Sequence, residues 1–167
     1  DDRRRTVQDG CGGFGVPPED VGRPLATVGA LVLNPEGAGL FVRTRKWRGA
    51  WGVPGGKIEA GETMLDAVVR EFSEETGLVI GDVRWAPTLE AVRHPEFHVP
   101  AHFVLLNMTA RIEGGDVELN DEADAYVWLP LRDALTSLRL NEPTRALVRH
   151  VLRAGPYGPP VTRGMRT

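Results

Sequence analysis

Residues 55–78 read GGKIEAGETMLDAVVREFSEETGL, and this stretch decides the fold of the chain. Residues 63–76 have helical character, because apolar side chains recur three and four positions apart. The helix is predicted to begin at Thr63, which forms a capping pair with Asp66 three positions later. It is predicted to end at Gly77, a residue type that tolerates the left-handed backbone of a helix end. The stripe expected to face a core consists of Met64, Leu65, Val68 and Phe72.

The predicted helix also carries three glutamates, Glu71, Glu74 and Glu75. Residues three and four apart share a helix face, so Glu71 lies beside both of the others. Like charges at this spacing destabilise an isolated helix by about a few tenths of a kcal/mol per pair, which Arg70 partly relieves. A solvated acidic face is one interpretation. A site for a hard divalent cation such as Mg²⁺, which prefers oxygen ligands, explains better why a glycine-rich turn precedes the helix.

The same stretch resembles the Nudix box of the Nudix hydrolase family. That pattern is a glycine, five residues, a glutamate, seven residues, and then R-E-U-x-E-E-x-G-U, where U is aliphatic or bulky and apolar. The fixed positions are all present, at Gly56, Glu62, Arg70, Glu71, Phe72, Glu74, Glu75, Gly77 and Leu78. Phe72 is aromatic where the family mostly has an aliphatic residue, which is a mild departure at a packing position.

The resemblance implies a fold of the α/β class with a mixed sheet, arranged as a Nudix-type α/β/α sandwich. It also implies hydrolysis of a nucleoside diphosphate linked to another group, with Mg²⁺ as the cofactor and Mn²⁺ as an alternative. Glu71, Glu74 and Glu75 would then bind the metal, together with the backbone carbonyl of Gly55. Arg70 would orient a glutamate rather than contact the substrate.

A second acidic segment precedes the last predicted strand and is expected to supply one more ligand. By the same resemblance, family members often provide a glutamate from outside the box as a ligand or base. Glu122 is preferred because it lies six residues before Trp128, and Asp121 and Glu118 are the alternatives. An exposed acidic loop explains any one of these residues equally well. Whether Glu71 or Glu122 acts as the base stays open.

The rest of the chain predicts strands and helices in mixed order, with hairpins rather than regular βαβ units, which indicates a mixed sheet. The predicted strands are 26–33, 40–43, 78–80, 85–92, 102–112 and 125–129, and the further helices are 131–138 and 143–152. Residues 51–56 are predicted to form a loop.

The folded domain is expected to span residues 24–153. Both ends of the chain are rich in Gly, Pro and charge, so a flexible N-terminal arm is expected at 1–23 and a C-terminal tail at 154–167.

A basic segment lies between the first predicted hairpin and the box. Arg43 and Arg45 share a face of the predicted strand and its extension, and they are the predicted ligands of substrate phosphate. A solvated basic loop fits the same residues. The nearby Trp47 and Trp51 fit either stacking on a base or packing beneath the loop.

Three histidines, His94, His98 and His102, are spaced by four residues. On a helix this spacing would indicate a transition-metal site. Pro95 and Pro100 interrupt any such helix, so we expect no zinc site at these residues.

The composition narrows the class of protein. The 20 basic and 23 acidic residues give a net charge of −3, whereas a protein that coats nucleic acid is usually basic. The single cysteine excludes an intrachain disulfide. No uncharged apolar stretch reaches the roughly 18 residues of a membrane span, and the start lacks the apolar run of a signal peptide. We therefore expect a cytoplasmic protein without nucleic-acid or membrane partners. Whether it forms a homodimer stays open.

These observations and the resemblance together predict Mg²⁺-dependent hydrolysis of a diphosphate linkage in a nucleotide-type small molecule. Nucleotide sugars and nucleoside triphosphates are the preferred substrates. The alternative is a non-catalytic Nudix-fold protein that senses or binds a nucleotide, although such sensors often lose glutamates of the box.

Overall fold

Strands and helices follow the chain in the mixed order that the sequence predicts. The computed structural model describes residues 22–165, so the expected arm lies almost entirely outside the described residues. The strands are β1 (Pro24–Leu33), β2 (Ala38–Thr44), β3 (Trp51–Gly52), β4 (Gly55–Lys57), β5 (Val79–Trp85), β6 (Leu89–Val92), β7 (His102–Gly114) and β8 (Ala123–Pro130). The helices are α1 (Met64–Thr76), α2 (Leu131–Ser137) and α3 (Glu142–Ala154).

The strands form one mixed sheet with the path β3-β2-β1-β7-β5. At its centre β1 and β7 are parallel, in register from Pro24 opposite His102 to Leu33 opposite Arg111. All other pairs along this path are antiparallel. Off the path, β4 pairs with β1, β6 with β7 and β8 with β2, also antiparallel. The mixed sheet inferred from the sequence is therefore confirmed.

Helices cover both faces of this sheet because the side chains of β1 alternate between two cores. Val28, Ala30 and Val32 pack in the cluster that includes Phe72 of α1. Leu31, which points to the opposite face, packs in the cluster that includes Leu147 of α3. The α/β/α arrangement implied by the resemblance is therefore present in the fold.

Two predicted segments differ from the structure. Residues 51–56, expected as a loop, contain β3 and β4, because their glycines let backbone pair closely with neighbouring strands. Residues 85–92, expected as one strand, are divided between the end of β5 and β6. Pro87 lies at this break, where its missing N–H prevents continuous ladder pairing.

The segment that follows α3 packs against the rest of the domain. Val161 is buried in the α1-side core, and its N–H donates to Val83 O at 2.9 Å. Pro159 has no N–H, but its carbonyl accepts from Trp85 N at 2.9 Å. A Pro-rich segment can therefore line the edge of β5 as an acceptor, which its composition alone does not indicate. No helix within residues 22–165 is long and apolar enough to cross a membrane.

Candidate active site

Helix α1 has the ends that the sequence predicts. Thr63 is the N-cap, and its hydroxyl accepts from Asp66 N at 3.1 Å. Gly77 closes the helix with φ 72°, and its N–H donates to Ser73 O. These caps fix the start and end of α1, and the glutamates of its last two turns are positioned accordingly.

Three carboxylates converge beside α1. Glu71 and Glu75 come from the helix and Glu122 from the loop before β8, with one oxygen from each within 4.8 Å of the others. The loop is attached to the end of α1 by its backbone, since Asn120 N donates to Glu75 O at 3.2 Å. Asn120 Oδ1 in turn accepts from Glu122 N at 3.0 Å. We call Glu71, Glu75 and Glu122 the carboxylate triad.

The most buried member of the carboxylate triad is Glu75, which is 2 % exposed. Its Oε2 accepts a long hydrogen bond from Gly55 N at 3.4 Å, but Oε1 has no hydrogen-bond partner among the described residues. Burial raises the pKa of Glu75 well above its usual range, and Glu122 raises it further, whereas Lys46 opposes the shift. Burial likewise raises the pKa of Glu71, against the influence of Arg70. Arg70 and Lys46 therefore offset only part of the cost of burying these two carboxylates.

Glycines allow the backbone to approach this cluster. A Cβ added at Gly56 would overlap the Glu71 carboxylate, and one at Gly55 would overlap the carbonyl of Val28. The Gly55 carbonyl accepts from Lys46 Nζ at 3.1 Å, and the same ammonium lies 3.8 Å from Glu75 Oε1. The Gly55 carbonyl and the Glu75 carboxylate therefore face the same ammonium.

Arg70 holds the adjacent carboxylates in place. Its Nε and Nη2 donate to the two oxygens of Glu62 at 2.6 and 3.0 Å. Its Nη1 donates to Glu71 Oε1 at 3.0 Å and to Glu74 Oε2 at 3.1 Å. These contacts raise the pKa of Arg70 and lower that of Glu62. Arg70 thus makes the contact expected of a residue that orients Glu71.

Other predicted site residues lie apart from the carboxylate triad. The side chain of Glu74 is 57 % exposed and pairs with Arg70, outside the triad. Arg43 Nε instead donates to Asp124 at 2.8 Å, which lowers the pKa of Asp124, and Arg45 is exposed. The alternatives Glu118 and Asp121 are exposed as well.

A second cation beside the carboxylate triad, besides Arg70, is Lys46, which follows Arg43 and Arg45 in the basic segment and was not among the predicted site residues. Lys46 lies in a 3₁₀ turn, Arg45–Trp47, directly after β2, and from there its ammonium reaches Gly55 O. The chain contains only two lysines among its 20 basic residues, and this was the available signal.

A cavity of about 520 Å³ opens beside the carboxylate triad. Its floor is built from alternate residues of β1 and β7, and aromatic rings and the start of α3 form its walls. Glu71, Glu122 and Lys46 line it on the side of the carboxylate triad, whereas Glu75 is not among its lining residues. Arg70 and Glu74 line it as well. Other lining residues include Thr27, Gly29, Trp47, Phe97, Phe103, Leu105, Asn107, Asn141 and Thr144.

A second group of potential ligands, His94, Glu96 and Glu142, has the same close spacing as the triad; we call it the rim cluster. His94 Nε2 contacts Glu142 Oε2 at 2.9 Å, and His94 Nδ1 accepts from Glu96 N at 3.2 Å. Glu142 N donates to Glu96 Oε1 at 3.1 Å. The other two histidines of the spaced set contact different partners: His98 Nδ1 contacts Lys46 O, and His102 Nε2 contacts Glu90.

Comparison with known proteins identifies the family. Residues 23–151 match the model of the NUDIX domain, so the chain belongs to that family. It is 36 % identical over 106 residues to an 8-oxo-(d)GTP phosphatase of Mycolicibacterium smegmatis, a match that covers 62 % of this chain and 30 % of that protein. It is 30 % identical over 132 residues to the 8-oxo-dGDP phosphatase NUDT18 of Mus musculus, covering 75 % and 37 %.

Among solved structures, the MutT NUDIX hydrolase of Burkholderia pseudomallei superimposes with a TM-score of 0.67 at 26 % identity, covering 77 % of this chain and 98 % of that one. The chain thus spans nearly all of that bacterial domain. It spans only about a third of the two curated relatives.

Proposed function

We propose that this chain is a metal-dependent Nudix hydrolase that cleaves a diphosphate linkage in a nucleotide. The observation that carries the proposal is the buried Oε1 of Glu75, which has no hydrogen-bond partner among the described residues and lies in the carboxylate triad beside an open cavity. A buried carboxylate whose charge is only partly compensated is costly. A cation at this position removes that cost and places the reaction at the mouth of the cavity.

The donor set fits a hard divalent cation. It offers carboxylate oxygens of Glu71, Glu75 and Glu122 and the carbonyl of Gly55, all of which are oxygen donors that Mg²⁺ prefers and Mn²⁺ accepts. When bound, such an ion neutralises charge on the diphosphate and lowers the pKa of a coordinated water. Of the ligands that the sequence predicted, this proposal leaves out only Glu74, whose side chain is exposed and lies outside the triad.

The protein groups divide the remaining work. Glu71 and Glu122 line the cavity, so either carboxylate can accept the proton of the attacking water, whereas the position of Glu75 restricts it to binding. Arg70 keeps the Glu71 carboxylate in one orientation. Lys46 is placed to pair with a substrate phosphate at the mouth of the cavity.

The substrate proposed first is a nucleoside di- or triphosphate. Two relatives are named as phosphatases of 8-oxo-(d)GTP and 8-oxo-dGDP, and this favours nucleoside polyphosphates over the nucleotide sugars that the sequence left open. The volume of the cavity is in the range that small-molecule sites occupy.

The direct test incubates the protein with a panel of nucleoside triphosphates, nucleoside diphosphates, 8-oxo-dGTP and nucleotide sugars, and measures released phosphate and pyrophosphate. We expect turnover of at least one nucleotide with Mg²⁺ or Mn²⁺ and none with EDTA. Turnover that is insensitive to EDTA would contradict the metal dependence. Tight binding of one nucleotide without any turnover would instead support the nucleotide sensor.

A further inference from the structure

One polar side chain in the cavity floor, Asn107, is left without a role by the proposed chemistry. It lies on β7 opposite Gly29 of β1, and Gly29 in turn lies opposite Gly55 of β4. Neighbouring strands are spaced by about 4.8 Å, so Asn107 lies about 10 Å across the sheet from Gly55. That separation is comparable with the span from a 5′-phosphate to the outer edge of the base in an extended nucleotide.

The amide of Asn107 has a fixed orientation. The residue is 5 % exposed, and its Nδ2 donates to Pro87 O at 3.1 Å. A carbonyl oxygen can only accept, so the nitrogen of the amide must face Pro87 and the oxygen must face away. Oδ1 accepts no hydrogen bond from any residue between 22 and 165. This oxygen is not fully enclosed by protein, and it belongs to a residue that lines a cavity, so a ligand in the cavity can donate to it.

The surroundings of Asn107 suit a flat ring. Leu105 and Phe103 precede it on the same face of β7, which makes the adjacent floor apolar. Phe97 packs edge-on against Phe103 at 4.7 Å between ring centroids and against Trp47 at 5.0 Å. We call Trp47, Phe97 and Phe103 the aromatic wall. A planar heteroaromatic group can contact this wall while one edge reaches the amide.

We propose that Asn107 determines the specificity of this site, with Oδ1 accepting a hydrogen bond from an N–H of the substrate's heteroaromatic base held against the aromatic wall. The inference rests on the proposed function, because it takes the diphosphate to lie at the carboxylate triad. A site built around an acceptor discriminates strongly against ligands that present no donor to it, because the acceptor is then left unpaired.

The test compares Asn107→Leu, which keeps the approximate shape and removes the acceptor, with Thr27→Val as a matched control. Thr27 lines the same floor, but its hydroxyl is already used in a bond to Val104 O at 3.3 Å. Values of kcat/KM are measured for dATP, dGTP, dCTP and dTTP with Mg²⁺. We expect the wild type to prefer one base, and Asn107→Leu to reduce that preference about tenfold or more, mainly through KM. Thr27→Val should retain it.

Binding separates a failure of this inference from a failure of the proposed hydrolysis. Calorimetric titration with dAMP, dGMP, dCMP and dTMP reports base preference whether or not the protein is an enzyme. A second measurement uses only the wild-type protein: it compares the preferred monophosphate with an analogue whose base is methylated at the donating N–H. We expect the methylated analogue to bind about tenfold more weakly. Hydrolysis without base preference, or a preference that survives in folded Asn107→Leu, would overturn the role of Asn107 and leave the hydrolase intact. If the wild type shows no turnover but Asn107→Leu loses the base preference in binding, the role of Asn107 is supported and the proposed hydrolysis is contradicted.

Discussion

The carboxylate triad and the rim cluster each bring three potential ligands within 4.8 Å, yet they differ in burial and in hydrogen bonding. In the rim cluster His94 contacts Glu142, and backbone N–H groups of Glu96 and Glu142 satisfy the remaining partners. Its members are half-buried or exposed, so water completes their solvation. The rim cluster is therefore stable without an ion.

The carboxylate triad cannot satisfy itself in this way. Its members carry the same charge, two of them are buried, and Glu75 Oε1 has no hydrogen bond among the described residues. The comparison teaches that proximity of ligand atoms does not distinguish a binding site from a structural cluster. The distinguishing feature is whether the hydrogen bonds of the group close without a ligand.

The largest expected effect tests the ligand role of Glu75. Glu75→Gln removes the charge but keeps the shape, and we expect Mg²⁺-dependent turnover to fall by more than about 100-fold, since even residues that support a metal ligand are worth 10–100-fold. The fold should persist, as judged by circular dichroism. Glu142→Gln in the rim cluster is the matched control and should keep wild-type turnover. Full activity of Glu75→Gln would contradict the ligand role of Glu75, and with it the distinction between the triad and the rim cluster.

The next effect concerns Arg70, which compensates one member of the triad. Arg70→Met removes charge-assisted hydrogen bonds and leaves the largely buried Glu62 unpaired, so the free energy of unfolding should fall by about 2–3 kcal/mol. Urea denaturation measures it. The control is Arg84→Met, which breaks a more exposed pair with Asp82 and should cost no more than about 1 kcal/mol. Equal losses in the two variants would show that the Arg70 network has no special weight.

A third prediction follows from the raised pKa of Glu75 in the metal-free protein. Because the folded state binds the proton more tightly than the unfolded state, protonated Glu75 stabilises the fold at low pH. That stabilisation is lost as the pH rises above the ordinary glutamate value of 4.5 and through the raised pKa. Between about pH 5 and pH 8 in EDTA, the melting temperature of the wild type should therefore decline more steeply than that of Glu75→Gln.

Mg²⁺ should restore the stability of the wild type at the upper end of this range and have a much smaller effect on the variant. If the melting temperatures of the two proteins in EDTA depend on pH in the same way, the Glu75 carboxylate is adequately solvated without an ion.

The smallest effect is expected in the rim cluster. Glu142→Gln weakens an exposed contact with His94, and we expect a loss of only about 0.2–1 kcal/mol in the free energy of unfolding. The stabilisation by Mg²⁺ should be the same as in the wild type. A variant that no longer responds to Mg²⁺ would mean that the rim cluster, rather than the triad, holds the ion.

Local sequence was sufficient for the helix and much of the sheet. Thr63 and Gly77 bound α1 because capping depends on neighbours within one turn. The central strands were recognised from their apolar runs. Short strands and edges were not, because β3 and β4 are defined by pairing with β2 and β1 rather than by their own composition. A strand was predicted at residues 78–80, but the irregular register of β5 around Gly81 hid its continuation to Trp85 from any test of alternation.

Sequence spacing identified Glu71 and Glu75 and proposed Glu122, since a helix fixes which of its own residues share a face. It preferred Glu122 to Glu118 and Asp121 only by its distance from Trp128, whereas in the structure the position of Glu122 depends on how the loop attaches to the end of α1 through Asn120. It also favoured Arg43 over Lys46. The strand face carrying Arg43 leads to Asp124, and the 3₁₀ turn that follows directs Lys46 to Gly55.

The sequence by itself thus determined the family, the capped helix and the carboxylates on it, because these depend on residue types at fixed local spacing. Two features follow from the tertiary structure alone: which carboxylate oxygen is buried without a hydrogen bond among the described residues, and that the side chain of Asn107 lines the cavity. Burial and hydrogen-bond closure depend on segments that meet from distant parts of the chain. For that reason the triad, the rim cluster and Asn107 could be told apart only once the chain was folded.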